Sequence, residues 1–279
     1  MTERIIHFNN VYICTESFGN IKNPTILLIM GATASMIWWE EEFCDRLSSQ
    51  GFHVIRYDNR DVGKSTTYKL GHPPYTFGDL ADDAIHVLDA YKVDKAHIVG
   101  LSMGGIITQI IALKHSSRVL TISLIMTSNF DSSLPKKNNG VTEALGNIKI
   151  KDWQNKDNVI ECFTKKSKIL TGSKYGFNEE KIKRLNELEF DRASNLKSME
   201  NHGFIRGWGS YLSRTNEINA PTLVIHGTED PIIPFEHGVH LAQIIPNAVL
   251  VSLNGVGHEL HYEDWEEIIN AISKHTTGT

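Results

Sequence analysis

The chain has 279 residues, 41% hydrophobic and 22% charged, with a formal net charge of −5. That length buries a large core in one or two domains, and the charge balance excludes a broad basic face for nucleic acid. No apolar run approaches the roughly 18 residues that a membrane-spanning helix requires.

The opening Met1-Thr2-Glu3-Arg4 leads into no signal-like apolar core, so a cytoplasmic protein is expected. Cys14, Cys44 and Cys162 lack metal-like spacing and are expected to be reduced, buried thiols. Loose alternation over residues 5–18, broken at Asn9-Asn10, predicts a hairpin. The nearly all-apolar run 25–30 predicts a strand buried on both faces, as in a parallel sheet. It ends at Gly31-Ala32-Thr33, before a helix expected over 39–50 and closed by Gly51. A strand over 52–57 then runs into Asp58-Asn59-Arg60-Asp61, and a helix is expected over 77–91. Further strands are expected at 96–99 and 121–126, and the strand–helix rhythm predicts βαβ units.

That rhythm stops over residues 129–216, a Lys- and Asn-rich stretch with helical segments. One amphipathic helix is expected over 179–189, with Ile182, Leu185 and Leu188 at spacings of three. Strands return at 221–226 and 248–253, and a final helix is expected over 265–274. The expected architecture is an α/β core of residues 1–128 and 217–279, with 129–216 a mainly helical cap over the C-terminal edge of the sheet. Packing of that cap is expected to occupy most of Phe204, Trp208 and Tyr211. Gly63-Lys64-Ser65 looks like a phosphate-binding loop, but the glycine that motif needs five residues earlier is Asp58. The loop is instead expected to brace the turn after its strand.

Chemistry concentrates at Gly100-Leu101-Ser102-Met103-Gly104, between the strand at 96–99 and the apolar run 106–113. A serine at the apex of a strand–turn–helix elbow is exposed for nucleophilic attack, and glycines flank it because side chains there would clash. The hydroxyl needs a base, usually a histidine held by a buried carboxylate. In a doubly wound sheet such groups lie beyond the C-terminal ends of strands, which narrows thirteen histidines considerably. His258 is favoured, in a Gly-rich and therefore mobile loop after the last strand. His261 is its first rival, and His226 is harder to exclude than the rest. Glu229 and Asp230 are both candidates for the carboxylate. Asp230 is preferred because the following Pro231 biases it towards an extended, projecting conformation. The oxyanion donors are expected to be the backbone N–H groups of Met103 and Ala32. Trp38 and Trp208 are candidate substrate contacts, with Trp39 and Phe130 also considered.

Together these residues resemble the α/β-hydrolase superfamily over nearly the full length. Leu28-Ile29-Met30-Gly31, the run 53–61 and Gly100-Leu101-Ser102-Met103-Gly104 are similar to the aclacinomycin methylesterase-like carboxylic ester hydrolases. That resemblance implies hydrolysis of a small carboxylic ester, a methyl ester among the candidates, under a helical cap. It implies no metal or organic cofactor, and it leaves oligomeric state open. Enol-lactonases, peptidases and cofactor-free perhydrolases use the same three residues. A slow-turnover small-ligand signalling receptor on the same scaffold is the alternative from another class.

Overall fold

A computed structural model describes residues 2–137 and 139–278. The chain opens with β1 (Arg4–Phe8) and β2 (Val11–Phe18), the expected hairpin. It turns at Asn9 and Asn10 with φ of 46° and 62°, a left-handed region that asparagine tolerates better than most residues. Next come β3 (Thr25–Ile29), α1 (Glu41–Ser49) and β4 (His53–Tyr57). Helix α1 starts two residues later than expected, because Met36–Trp38 forms a separate 3-10 turn and Glu40 stays extended. Then follow α2 (Phe77–Ala90), β5 (Ala96–Leu101), α3 (Met103–Lys114) and β6 (Val119–Ile125). Thr76 starts α2 through a reciprocal capping box with Asp79.

Between β6 and the next strand lie α4 (Asn139–Asn147), α5 (Lys156–Leu170), α6 (Glu179–Arg192), a 3-10 stretch over Leu196–Phe204, and α7 (Gly209–Leu212). The buried positions of α6 are Leu185, Asn186 and Glu189, while Leu188 is 50% exposed. The inward face is therefore rotated from the one that apolar spacing suggests. The chain closes with β7 (Thr222–Gly227), α8 (Phe235–Ile244), β8 (Val249–Leu253) and α9 (Trp265–Thr277). Helix α8 was not anticipated. Two histidines and Gly238 interrupt its apolar stripe, and Gly238 is needed because a Cβ there would lie 2.7 Å from the His226 side chain.

The strands form one sheet in the order β1-β2-β4-β3-β5-β6-β7-β8. The β1–β2 and β2–β4 pairs are antiparallel and all later pairs parallel. Every residue of β3, β4, β5 and β7 is buried, as expected where helices cover both faces. Helices α2, α3 and α8 pack on one face, and α1 and α9 on the other. Because β3 and β5–β8 run parallel, the loops that follow them emerge at one edge. No helix among the described residues is long and apolar enough to cross a membrane.

Candidate active site

Ser102 sits between β5 and α3 with φ 54° and ψ −115°, a conformation that costs a non-glycine residue about 1–3 kcal/mol. The surroundings hold it there. Its N–H donates to Ile125 O at 2.8 Å, and its carbonyl accepts from Thr127 Oγ1 at 2.7 Å. A Cβ at Gly100 would lie 2.2 Å from Gly104 O, and one at Gly104 would lie 2.1 Å from Ile29 O. The flanking glycines thus let β3, β5 and α3 meet at the elbow.

The three loops converge. Ser102 Oγ lies 3.0 Å from His258 Nε2, and His258 Nδ1 lies 2.6 Å from Asp230 Oδ2. With Nδ1–H donating to the carboxylate, Nε2 carries the lone pair and faces the serine hydroxyl. Asp230 is buried, and its Oδ1 accepts the N–H groups of Ile232 and Ile233, each at 2.8 Å. Burial pushes its carboxyl up. The nearby His226 imidazole, with the hydrogen bonds from His258 and the Ile233 N–H, outweighs that and holds it well below the usual carboxylate range.

The rival candidates are engaged elsewhere. His226, fully buried, lies 3.5 Å from Asp230 Oδ2 and donates Nε2–H to Ile233 O at 2.8 Å, so it orders the carboxylate loop. Glu229 accepts from Ser173 N–H and Oγ at 2.8 and 2.7 Å. His261 stacks between Tyr175 and Tyr262 at 4.4 and 4.5 Å. His97 bonds Thr121 in the sheet, and burial lowers its pKa to about 4.

The loop after β3 runs beside Ser102: a Cβ at Gly31 would lie 3.3 Å from Ser102 Cβ. Ala32 lines the space in front of the hydroxyl. Met103 is the first residue of α3, where no earlier turn supplies a carbonyl to its N–H. The inserted helices hold this loop. Thr33 N–H donates to His202 Nδ1 at 2.9 Å, while His202 Nε2–H donates to Arg60 O at 2.8 Å. Met36 N–H and Lys64 N–H donate to Asp58 at 2.8 and 2.9 Å, and Arg192 pairs with Asp58 at 2.8 Å. Gly63-Lys64-Ser65 therefore braces the turn after β4, with Ser65 Oγ on Asp58 O at 2.7 Å. His202 was missed from sequence, since no motif marks it and its partners come from distant loops.

Ser102 and His258 open into a cavity of about 480 Å³ with mostly apolar walls, among them Trp38, Trp153, Phe163, Phe177 and Met199. Trp208 is not among its lining residues. It is 37% exposed and packs on Phe130 at the surface, 5.3 Å between ring centroids. Phe204 is also exposed, Tyr211 packs on the core, and Trp39 is buried against Phe43.

Comparison with known proteins identifies the fold and the family. Residues 24–264 match the family model of the α/β hydrolase fold. The chain is 32% identical over 296 aligned positions to the rhodomycin D methylesterase of Streptomyces sp. (strain C5), covering 99% of this chain and 98% of the relative. It is 31% identical to the rhodomycin D methylesterase of Streptomyces peucetius, with the same coverage. Among solved structures, the enol-lactonase from Burkholderia xenovorans LB400 superposes with a TM-score of 0.76 at 21% identity, over 98% of this chain and 100% of that one. An elbow serine on a mostly parallel sheet, a family match over most of its length and full-length relatives lead to one conclusion: the chain belongs to the α/β-hydrolase family.

Proposed function

We propose that the protein is a serine hydrolase that cleaves a small carboxylic ester, with Ser102 as nucleophile, His258 as general base and Asp230 as the carboxylate that orients it. One observation carries this: the unbroken hydrogen-bonded chain from Ser102 Oγ through His258 to Asp230, at 3.0 and 2.6 Å. As Oγ attacks the acyl carbon, its proton passes to His258 Nε2, and Asp230 stabilises the imidazolium. The N–H groups of Ala32 and Met103 receive the charge developing on the carbonyl oxygen. Removing one such donor costs about 3 kcal/mol of transition-state stabilisation. As the tetrahedral species collapses, the imidazolium returns its proton to the leaving alkoxide and the alcohol departs. Water, deprotonated by His258, then attacks the acyl-enzyme. Its collapse frees the acid and restores the Ser102 hydroxyl.

The methylesterase relatives favour a methyl ester, and the apolar cavity favours a largely hydrophobic acyl part. Residues 129–216 act as the cap over an α/β core of 1–128 and 217–279, since α5 and α6 supply much of the cavity wall. A panel of methyl esters and lactones, with organophosphonate labelling, is the test. Turnover of methyl esters is expected, with the label on Ser102 and a loss of about 10⁴-fold or more in Ser102→Ala. Hydrolysis unchanged in Ser102→Ala overturns the mechanism. Absence of turnover across the panel favours a small-ligand receptor.

A further inference from the structure

Glu189 is a buried ionisable group that the catalytic chemistry leaves unused. It sits on α6 with 1% exposure. Its Oε2 accepts from Ser35 Oγ at 2.6 Å, Ser35 N–H at 3.2 Å and Trp38 Nε1–H at 3.1 Å. Its Oε1 is buried with no hydrogen-bond partner. A clamp on the loop after β3 needs only Oε2, so the clamp does not account for the second oxygen. Leaving a buried oxygen unpaired is costly, and natural proteins rarely do so without a reason.

Glu189 lines the same cavity as Ser102 and His258. Asn186, almost one turn earlier on the same buried face, lines it too, with Nδ2 anchored on Thr164 Oγ1 at 3.2 Å. Around them the wall is apolar, with Trp38, Leu185 and Met199. The pair is thus a buried polar spot in a mostly apolar cavity, which Lys166, Asn178, Lys181 and Glu200 also line.

We propose that Glu189, with Asn186 beside it, is a hydroxyl-recognising subsite: the substrate carries a hydroxyl, away from the scissile carbonyl, that completes Oε1. This rests on the ester-hydrolase function proposed above and names the substrate class more narrowly. A hydroxyl fits where other groups do not. It donates to a carboxylate and accepts from a carboxylic acid, and burial pushes the Glu189 carboxyl up to about 7, where both forms occur near neutral pH. Asp58 adds to that rise, while Arg192, tied to Asp58 and Glu3, opposes it. An ammonium would need the ionised form alone, and a ketone the protonated form alone.

The test uses the full-length Ser102→Ala protein, in which esters bind without turnover. Calorimetry compares methyl naphthoate with the isomeric methyl hydroxynaphthoates, in proteins carrying Glu189, Glu189→Gln or Glu189→Leu. At least one hydroxylated isomer is expected to bind roughly ten- to a hundred-fold more tightly than the parent. That preference should shrink in Glu189→Gln, which keeps an acceptor for Ser35 and Trp38, and vanish in Glu189→Leu. No hydroxyl preference with Glu189 present, or an equal loss of affinity for every isomer in both variants, overturns the subsite and leaves Glu189 a clamp. If wild type turns over no ester while the binding preference persists, the hydrolase proposal fails and the subsite stands.

Discussion

The backbone N–H of His258 donates to the carbonyl of Leu170 at 2.8 Å, so the imidazole loop hangs from the last residue of α5. The approach is close because residue 257 is glycine. A Cβ there would lie 2.1 Å from Leu170 O and 2.5 Å from Gly172 N. The glycine that suggested mobility is thus a spacer between two backbone segments. Gly257→Ala should push the loop away from Ser102. A displacement on the order of 1 Å costs about 10²-fold in rate, so kcat on a methyl ester should fall by about that factor. Near-UV circular dichroism should show a folded protein. Retention of full kcat would mean that the loop is free to relocate.

His202 ties the loop carrying Ala32 to the turn after β4, accepting from Thr33 N–H at 2.9 Å and bonding Arg60 O at 2.8 Å. Burial lowers its pKa, which keeps the ring neutral and able to do both. His202→Phe strands a donor and an acceptor, at about 1–3 kcal/mol each. Urea unfolding should register that loss. If Ala32 serves the oxyanion, kcat should fall about tenfold or more with KM little changed. A change in KM alone would place His202 outside transition-state stabilisation.

Glu189 makes stability depend on pH with a definite sign. Its carboxyl rises from an ordinary 4.5 to about 7 in the folded state. Between those values the folded chain holds the extra proton, so stability falls as pH rises through the interval. Glu189→Gln removes the titration. The stability of Glu189→Gln relative to wild type should therefore grow by up to about 3 kcal/mol between about pH 5 and pH 8. Thermal unfolding at both pH values measures it, and a pH-independent difference would refute the shift. Asp230 carries the opposite sign. Its depressed carboxyl contributes stability above the ordinary carboxylate pKa, and that contribution is lost in acid.

The elbow strain is separable from the hydroxyl. Ser102→Ala and Ser102→Gly both remove Oγ, but only glycine relaxes at φ 54°. Ser102→Gly should be more stable than Ser102→Ala by about 1 kcal/mol, a Tm difference of about 2–4 °C for a chain of this size. At an unstrained site the order is reversed, because glycine loses more backbone entropy on folding. Equal or lower stability in the glycine variant would show that the conformation stores little strain.

Parallel strands buried on both faces need continuous apolar runs, and an elbow needs small residues on either side of its serine. Both are local demands, so the order of the core strands and the position of Ser102 between β5 and α3 were legible in the linear chain, while α8 was not. The approach of His258 and Asp230 to Ser102 followed from topology once the strands were parallel. Other features depended on side chains meeting across long separations. Glu189 reaches Ser35 from 154 residues away, and His202 reaches Thr33 from 169. The inward face of α6 carries Asn186 and Glu189 beside Leu185 while Leu188 faces out, a rotation from the face that apolar spacing implies. Hydrophobic pattern records which groups avoid water. It is silent on which polar groups find partners, because a buried hydrogen bond is set by geometry that only the folded chain brings together.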